Sequence, residues 1–114
     1  MIGIDTLVAS AETDAGNWDE AGLPVEVIEA AAKAGVLGLD RTTDCRGLGL
    51  NAAELGSVAE RLGAVCTSLR SLLTVQGMVN AAVDRWGTAE QRARWLPALT
   101  TGELLAGFAA TETG

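Results

Sequence analysis

The stretch LNAAELGSVAERL, Leu50 to Leu62, constrains this chain more than any other. Leu55, Val58, Ala59 and Leu62 recur at i, i+3, i+4 and i+7, which is one face of an α-helix and does not fit a strand. Asn51, followed three residues later by Glu54, supplies a capping-box start, and Gly63 is expected to end that helix. The same grammar recurs at Thr88 and Gln91, ahead of a helix through Trp95 and Leu99 that Pro97 should kink or shorten. Between them a longer helix is predicted from Thr67 to Trp86, stopped by Gly87. Its inner face carries Leu69, Leu72, Leu73, Val79, Val83 and Trp86.

Upstream, LPVEVIEAAAKAG places Pro24 at a first helical position and Gly35 just past the end. Val27, Ile28, Ala31 and Ala32 share one face there, with Glu29 and Lys33 as an outer i,i+4 pair. A first helix over Asp5 to Ala15 has the composition but no strong cap. VLGLDRTTDCRGLGL, with Gly38, Gly47 and Gly49, reads as a loop. Composition agrees with helix: of the 48% apolar content much is alanine, beside one Phe, three Trp and no Tyr. The fold expected is an all-α bundle of about five helices, followed by a non-helical apolar segment, LLAGFAA at Leu104 to Ala110, on which something should pack.

The charge balance narrows function. Eight bases, seven of them Arg, face 15 acids for a net −7, which argues against nucleic-acid binding and against an anionic membrane surface. No apolar run approaches the ~18–20 residues of a membrane span. MIGIDTLVAS lacks the basic start of a secretion signal, so a soluble cytoplasmic protein is expected. Cys45 and Cys66 are the only cysteines, with no CxxC and no histidine anywhere. That excludes the usual transition-metal sites and the Ser-His and Cys-His nucleophile pairs. Free thiols are expected in a reducing compartment, with a disulfide as the alternative.

The long helix has a second face. At 100° per residue Arg70, Thr74, Gly77 and Ala81 form one narrow stripe, flanked by Ser71 and Met78. Two explanations stand at this point. Small residues let a neighbouring helix approach, with Thr74 bonding back to its own turn. Alternatively a ligand lies along the helix with Arg70 gripping an anionic group, since Arg pairs bidentately with carboxylate or phosphate. GLGL at Gly47 to Leu50 lacks the strand and the Lys or Ser/Thr of a phosphate loop and reads as a turn before Asn51. Asp14, Asp19 and Glu20 read as a solvated face, and Trp18, Trp86 and Trp95 as core or interface anchors.

From Gly22 onward the motif order resembles the N-terminal helical domain of the acyl-CoA dehydrogenase family. The pieces that carry the resemblance are the loop ending in GLGL, the helices of LNAAELGSVAERLGAVCTSLRSLLTVQGMV, the block WGTAEQRARWLPALTTGELLAGF and the final FAATETG. RSLLTVQ, Arg70 to Gln76, is similar to the pattern of glutaryl-CoA dehydrogenases. It also resembles dehydrogenases that build hydroxylated malonyl extender units on acyl carrier proteins. The chain departs from the family where DRTTDCRGLGL replaces a Pro-acidic-acidic-aromatic-Gly stretch, and where Thr113 replaces a Pro.

The resemblance implies residues 1–104 as a helical domain and 105–114 as the first strand and turn of a truncated β-domain. It implies FAD as cofactor, with Phe108, Ala110 and Thr111 lining the isoalloxazine and Glu112 as a structural residue. Arg70, Ser71, Thr74 and Met78 become substrate-binding, for a short acyl thioester of coenzyme A or a carrier protein with a polar or carboxylated end. No catalytic residue and no metal are expected within these residues, because the family's proton-abstracting carboxylate lies in its C-terminal domain. The chain then corresponds to about the first third of an enzyme that works as a dimer or tetramer. A catalytically silent helical fragment or partner-binding module, or a flavin monooxygenase on the same fold, are the alternatives.

Overall fold

In the computed structural model, which describes residues 2–113, five α-helices account for most of the chain. They are α1 (Ile2–Ala21), α2 (Val25–Lys33), α3 (Ala52–Val65), α4 (Thr67–Trp86) and α5 (Ala89–Thr101). α1 packs on α2 and α3, α3 on α4, and α4 on α5. The all-α bundle expected from periodicity is therefore what forms.

Helix α1 is longer than its weak start suggested. Ile4, Leu7, Ala11 and Trp18 all fall on its buried face, so tertiary packing extends it where no side-chain cap would. Both capping boxes are present: Asn51 Oδ1 accepts from the Glu54 N–H at 2.9 Å, and Thr88 Oγ1 accepts from the Gln91 N–H at 3.1 Å. Pro24 is the residue before α2 instead of its first helical residue. Gly35 follows α2 at φ +85°, and a Cβ there would lie 2.7 Å from Leu48 Cδ1, so only glycine fits.

Two helix ends and one side chain differ from expectation. α3 runs through Gly63 to Val65 and stops at Cys66, whose extended backbone (φ −159°) breaks the helix. The Cys66 thiol then accepts the Leu69 N–H at 3.5 Å and starts α4. Both cysteines are free thiols. α5 continues past Pro97 to Thr101. Proline removes one backbone bond, while the Thr101 hydroxyl bonds the Pro97 carbonyl at 3.0 Å and ties the last turn. Trp86, predicted inside, is 75% exposed at the end of α4 with Arg85 over its ring at 5.2 Å. Trp18 is buried in the core, and Trp95 remains partly exposed.

The largest difference concerns the glycine-containing loop. Val36–Gly38 forms a single 3₁₀ turn, and Val36, Leu37, Gly38 and Leu39 are all buried against α2, α4 and α5. It is the hub of the bundle. Thr43–Cys45 forms a second turn capped by Arg46 in the left-handed region, φ 64°. At the other end, residues 105–113 run without regular structure, and Gly114 lies outside the described residues. A strand exists through its ladder, and no other extended segment among the described residues is placed to pair with this one.

Candidate functional site

Helix α4 presents two faces with different chemistry. Leu69, Leu73, Gln76 and Asn80 are its buried residues. One residue further round lies the stripe of Arg70, Thr74, Gly77 and Ala81, which opens into a cleft of about 450 Å³. The facing wall is α3, through Ala52, Leu55, Gly56 and Ala59, and the floor is the hub segment at Val36, Leu37 and Leu39. This volume lies within the range of small-molecule sites, and such sites are mostly apolar with a few fixed polar groups. Met78 lines the cleft with the stripe. Ser71 does not: it is solvent-exposed beside the cleft.

The geometry separates the two explanations of the small residues. A Cβ built on Gly77 meets nothing within 4 Å, and the same holds for Gly56 across the cleft. Neither glycine is small so that a helix of this chain can approach it. Each still carries the cost of about 1 kcal/mol that glycine brings to a helix interior. The Thr74 hydroxyl does bond back to its own turn, donating to the Arg70 carbonyl at 2.9 Å. It also accepts from Arg70 Nη1 at 3.0 Å. The guanidinium is thereby held along α4 at the end of the cleft. No carboxylate among the described residues forms an ion pair with it, whereas Arg46 and Arg61 each pair with one and Arg41 with two. Four of its five N–H donors remain for another group.

Arg41 contrasts with Arg70. It sits between Asp40 and Asp84 at 3.2 Å from each, and the Asp40 hydrogen bond holds its pKa above the ordinary arginine value. It ties the hub segment to α4 and is not free for a ligand.

Phe108, Ala110 and Thr111 lie outside the cleft lining, on the segment that follows α5, and all three are exposed. Among the described residues no hydrogen bond joins 107–113 to the rest of the chain. A half-exposed phenyl ring beside open backbone donors and acceptors suits one edge of an isoalloxazine, which is a flat ring with a polar rim. By that chemistry the residues fit one edge of a flavin. Among the described residues no group of three or more His, Cys, Asp or Glu could hold a metal ion, and no helix is long and apolar enough to cross a membrane.

Sequence reasoning misses the roles of two residues. Gln76 and Asn80 are carboxamides on the apolar seam of α4. Asn80 Nδ2 donates to the Leu37 carbonyl at 2.8 Å, and Gln76 pairs with Ala106. The signal was available, since two polar residues four apart on a buried face need partners.

The model of the acyl-CoA dehydrogenase N-terminal domain matches residues 6–103. The chain is 36% identical over 98 residues to mitochondrial isobutyryl-CoA dehydrogenase of Bos taurus, covering 85% of this chain and 24% of that protein. It is 36% identical over 83 residues to (2S)-methylsuccinyl-CoA dehydrogenase of Cereibacter sphaeroides, covering 73% and 15%. Among solved structures it is similar to FkbI, a protein for biosynthesis of a methoxymalonyl extender unit, with TM-score 0.79, 35% identity, and coverage of 86% of this chain and 28% of that one. The chain thus spans about a quarter of the length of the isobutyryl-CoA dehydrogenases it matches.

Proposed function

This chain belongs to the acyl-CoA dehydrogenase family as its N-terminal domain, and from that premise we propose that it is the acyl-binding helical part of an FAD-dependent acyl-thioester dehydrogenase. The observation that carries the reading is the α3–α4 cleft, walled by open glycines and ended by an unpaired guanidinium. The acyl chain lies along Met78, Gly77 and Thr74, with its distal polar or carboxylated end at Arg70. Ser71 stands at the rim, where it contacts only a substrate that reaches out of the cleft. The thioester is carried by coenzyme A or by a carrier protein. The methylsuccinyl relative and the extender-unit protein, both named for branched or carboxylated acyl groups, favour a substrate of that class.

FAD, when bound, supplies the acceptor for the β-hydride. Phe108, Ala110 and Thr111 give this chain's contribution to the ring's surroundings: the phenyl excludes water from one edge, while Thr111 and its neighbouring backbone offer hydrogen bonds. The base that removes the α-proton belongs to the remainder of such an enzyme, which assembles as a dimer or tetramer in the cytoplasm. Residues 105–114 begin its β-domain.

Arg70 provides the test. In the flavin-loaded enzyme, kcat/KM is compared between Arg70→Ala and wild type, on a carboxylated acyl thioester and on an uncharged one of equal length. A hydrogen-bonded charge of this kind contributes roughly 1.5–3 kcal/mol, so the charged substrate should lose about ten- to a hundredfold and the neutral one little. Arg70→Lys keeps the charge without the fork and should fall between. Equal losses on both substrates would make Arg70 a packing residue.

A further inference from the structure

We propose that Gln76 is a positioning residue, which fixes where residues 107–113 leave the bundle and hence where Phe108 and Thr111 stand relative to the cleft face of α4. Gln76 is 3% exposed and precedes Gly77 of the cleft wall. Its carboxamide meets Ala106 with both ends. Nε2 donates to the Ala106 carbonyl at 2.6 Å, and the Ala106 N–H donates to Oε1 at 3.2 Å. One side chain thus takes the place of a neighbouring strand for one backbone unit.

The groove under this strap cannot set the alignment. Val79, Val83, Trp95 and Leu99 line it with Leu104 and Leu105, and apolar contact is non-directional. The Leu104 N–H bonds the Ala98 carbonyl at 3.1 Å, which marks the end of α5. Gln76 is the last hold among the described residues before the segment projects. A slip by one residue would turn Phe108 to the opposite side of an extended chain and leave a buried amide half-paired. The same turn of α4 therefore carries the acyl wall and the anchor of the segment assigned to the flavin.

The consequence for Phe108 rests on the proposed function, while the clamp rests on Gln76 alone, so the experiment reads both. Amide hydrogen exchange is measured by NMR on Gln76→Leu. Ala106 should exchange about ten- to a hundredfold faster while Leu69 and Leu73 keep their protection. Unchanged Ala106 protection, or equal acceleration of the core amides, overturns the proposal.

Gln76→Glu covers the case in which Gln76→Leu does not fold. A buried carboxylate opposite the Ala106 carbonyl has its pKa raised above the usual value of about 4.3. Its protonated form offers one donor and one acceptor, like the amide. Ionised, the carboxylate still accepts the Ala106 N–H but sets a second oxygen against the Ala106 carbonyl, so Ala106 protection should weaken at alkaline pH and recover as pH falls through that raised pKa. A pH-independent result, after correction for intrinsic exchange, overturns the clamp.

In the flavin-loaded enzyme, Gln76→Glu should shift the flavin visible band with the same midpoint. A band that stays fixed while Ala106 is released overturns the positioning role. A wild-type enzyme without flavin overturns the proposed function and the placement of Phe108 with it, leaving the clamp to the exchange data.

Discussion

Residues 36–39 and 104–108 are both short apolar runs outside the α-helices, yet they have opposite fates. Leu37 is 1% exposed, while Leu105 and Phe108 are each 51% exposed. The difference is in what their backbones meet. The Gly38 carbonyl accepts from the N–H groups of Arg41 and Leu48, the Leu39 carbonyl accepts from the Leu50 N–H, and Asn80 serves the Leu37 carbonyl. With the carbonyls of Leu37, Gly38 and Leu39 paired, that segment can sit in the middle of a helical bundle. The later run has one backbone unit clamped by Gln76 and an open backbone beyond it. Apolar side chains alone do not bury a segment; partners for its peptide groups do.

The comparison breaks most visibly at Leu37. Leu37→Ala should destabilise the chain by about 2–5 kcal/mol through the cavity left at the hub. Leu105→Ala, on the exposed run, should stay within about 0.5 kcal/mol. Urea unfolding of the two variants decides it, and similar losses would mean that residues 104–108 are as well packed as the hub.

Asn80→Ala sharpens the same point. It keeps the apolar contacts of the hub and takes away the donor to the Leu37 carbonyl. A buried acceptor left unpaired costs about 1–3 kcal/mol. The Asn80 Oδ1 is itself buried without a partner among the described residues, so removing it returns part of that cost, and the lower end of the range is expected. No measurable loss would show that the hub is held by its side chains alone.

Helices and caps were legible in the sequence because their signals are local. Asn51 with Glu54, and Thr88 with Gln91, act within four residues, and both boxes form. The stripe from Arg70 to Ala81 was legible for the same reason, because one helix period puts it on one face, and it lines the cleft. What failed was non-local. VLGL reads as loop and forms a single 3₁₀ turn, but its burial has no local signal, because its peptide partner, Asn80, lies 43 residues away. Gly63 predicts a stop, yet α3 keeps helical backbone through it to Val65, which nothing local in the sequence shows. Trp86 follows the apolar period of α4 but extends past the last neighbour able to cover it. The proposed roles of Ser71, Phe108, Ala110 and Thr111 depend on groups beyond these helices, for which neither periodicity nor capping carries a signal.

A third, smaller contrast sets local against long-range ties. Thr88→Ala removes one side-chain acceptor at the start of α5 and should cost about 0.5–2 kcal/mol. Circular dichroism at the thermal midpoint checks it. The loss should stay below that of Leu37→Ala, because the helix keeps its packing against α4 and the hub.

The smallest effect concerns the exposed tie between α1 and α3, where Arg61 Nη2 donates to Asp5 Oδ1 at 2.6 Å. That hydrogen bond holds the Asp5 carboxyl below its ordinary pKa. A pKa lowered on folding means that the contribution is full above the unfolded value of about 3.9 and is lost as pH falls through the folded one. Asp5→Asn should therefore lower the thermal midpoint slightly at neutral pH, and the gap from wild type should close as pH drops below about 4. Asp44 is also held low, chiefly by a side-chain hydrogen bond with Thr42, so the wild-type curve alone mixes two carboxylates and the difference between the variants isolates one. Both partners of the pair are solvent-exposed, so added salt should shrink the neutral-pH gap. A gap that persists at pH 3 and resists salt would make Asp5 a packing residue of α1, on the buried side of the contrast between hub and strap.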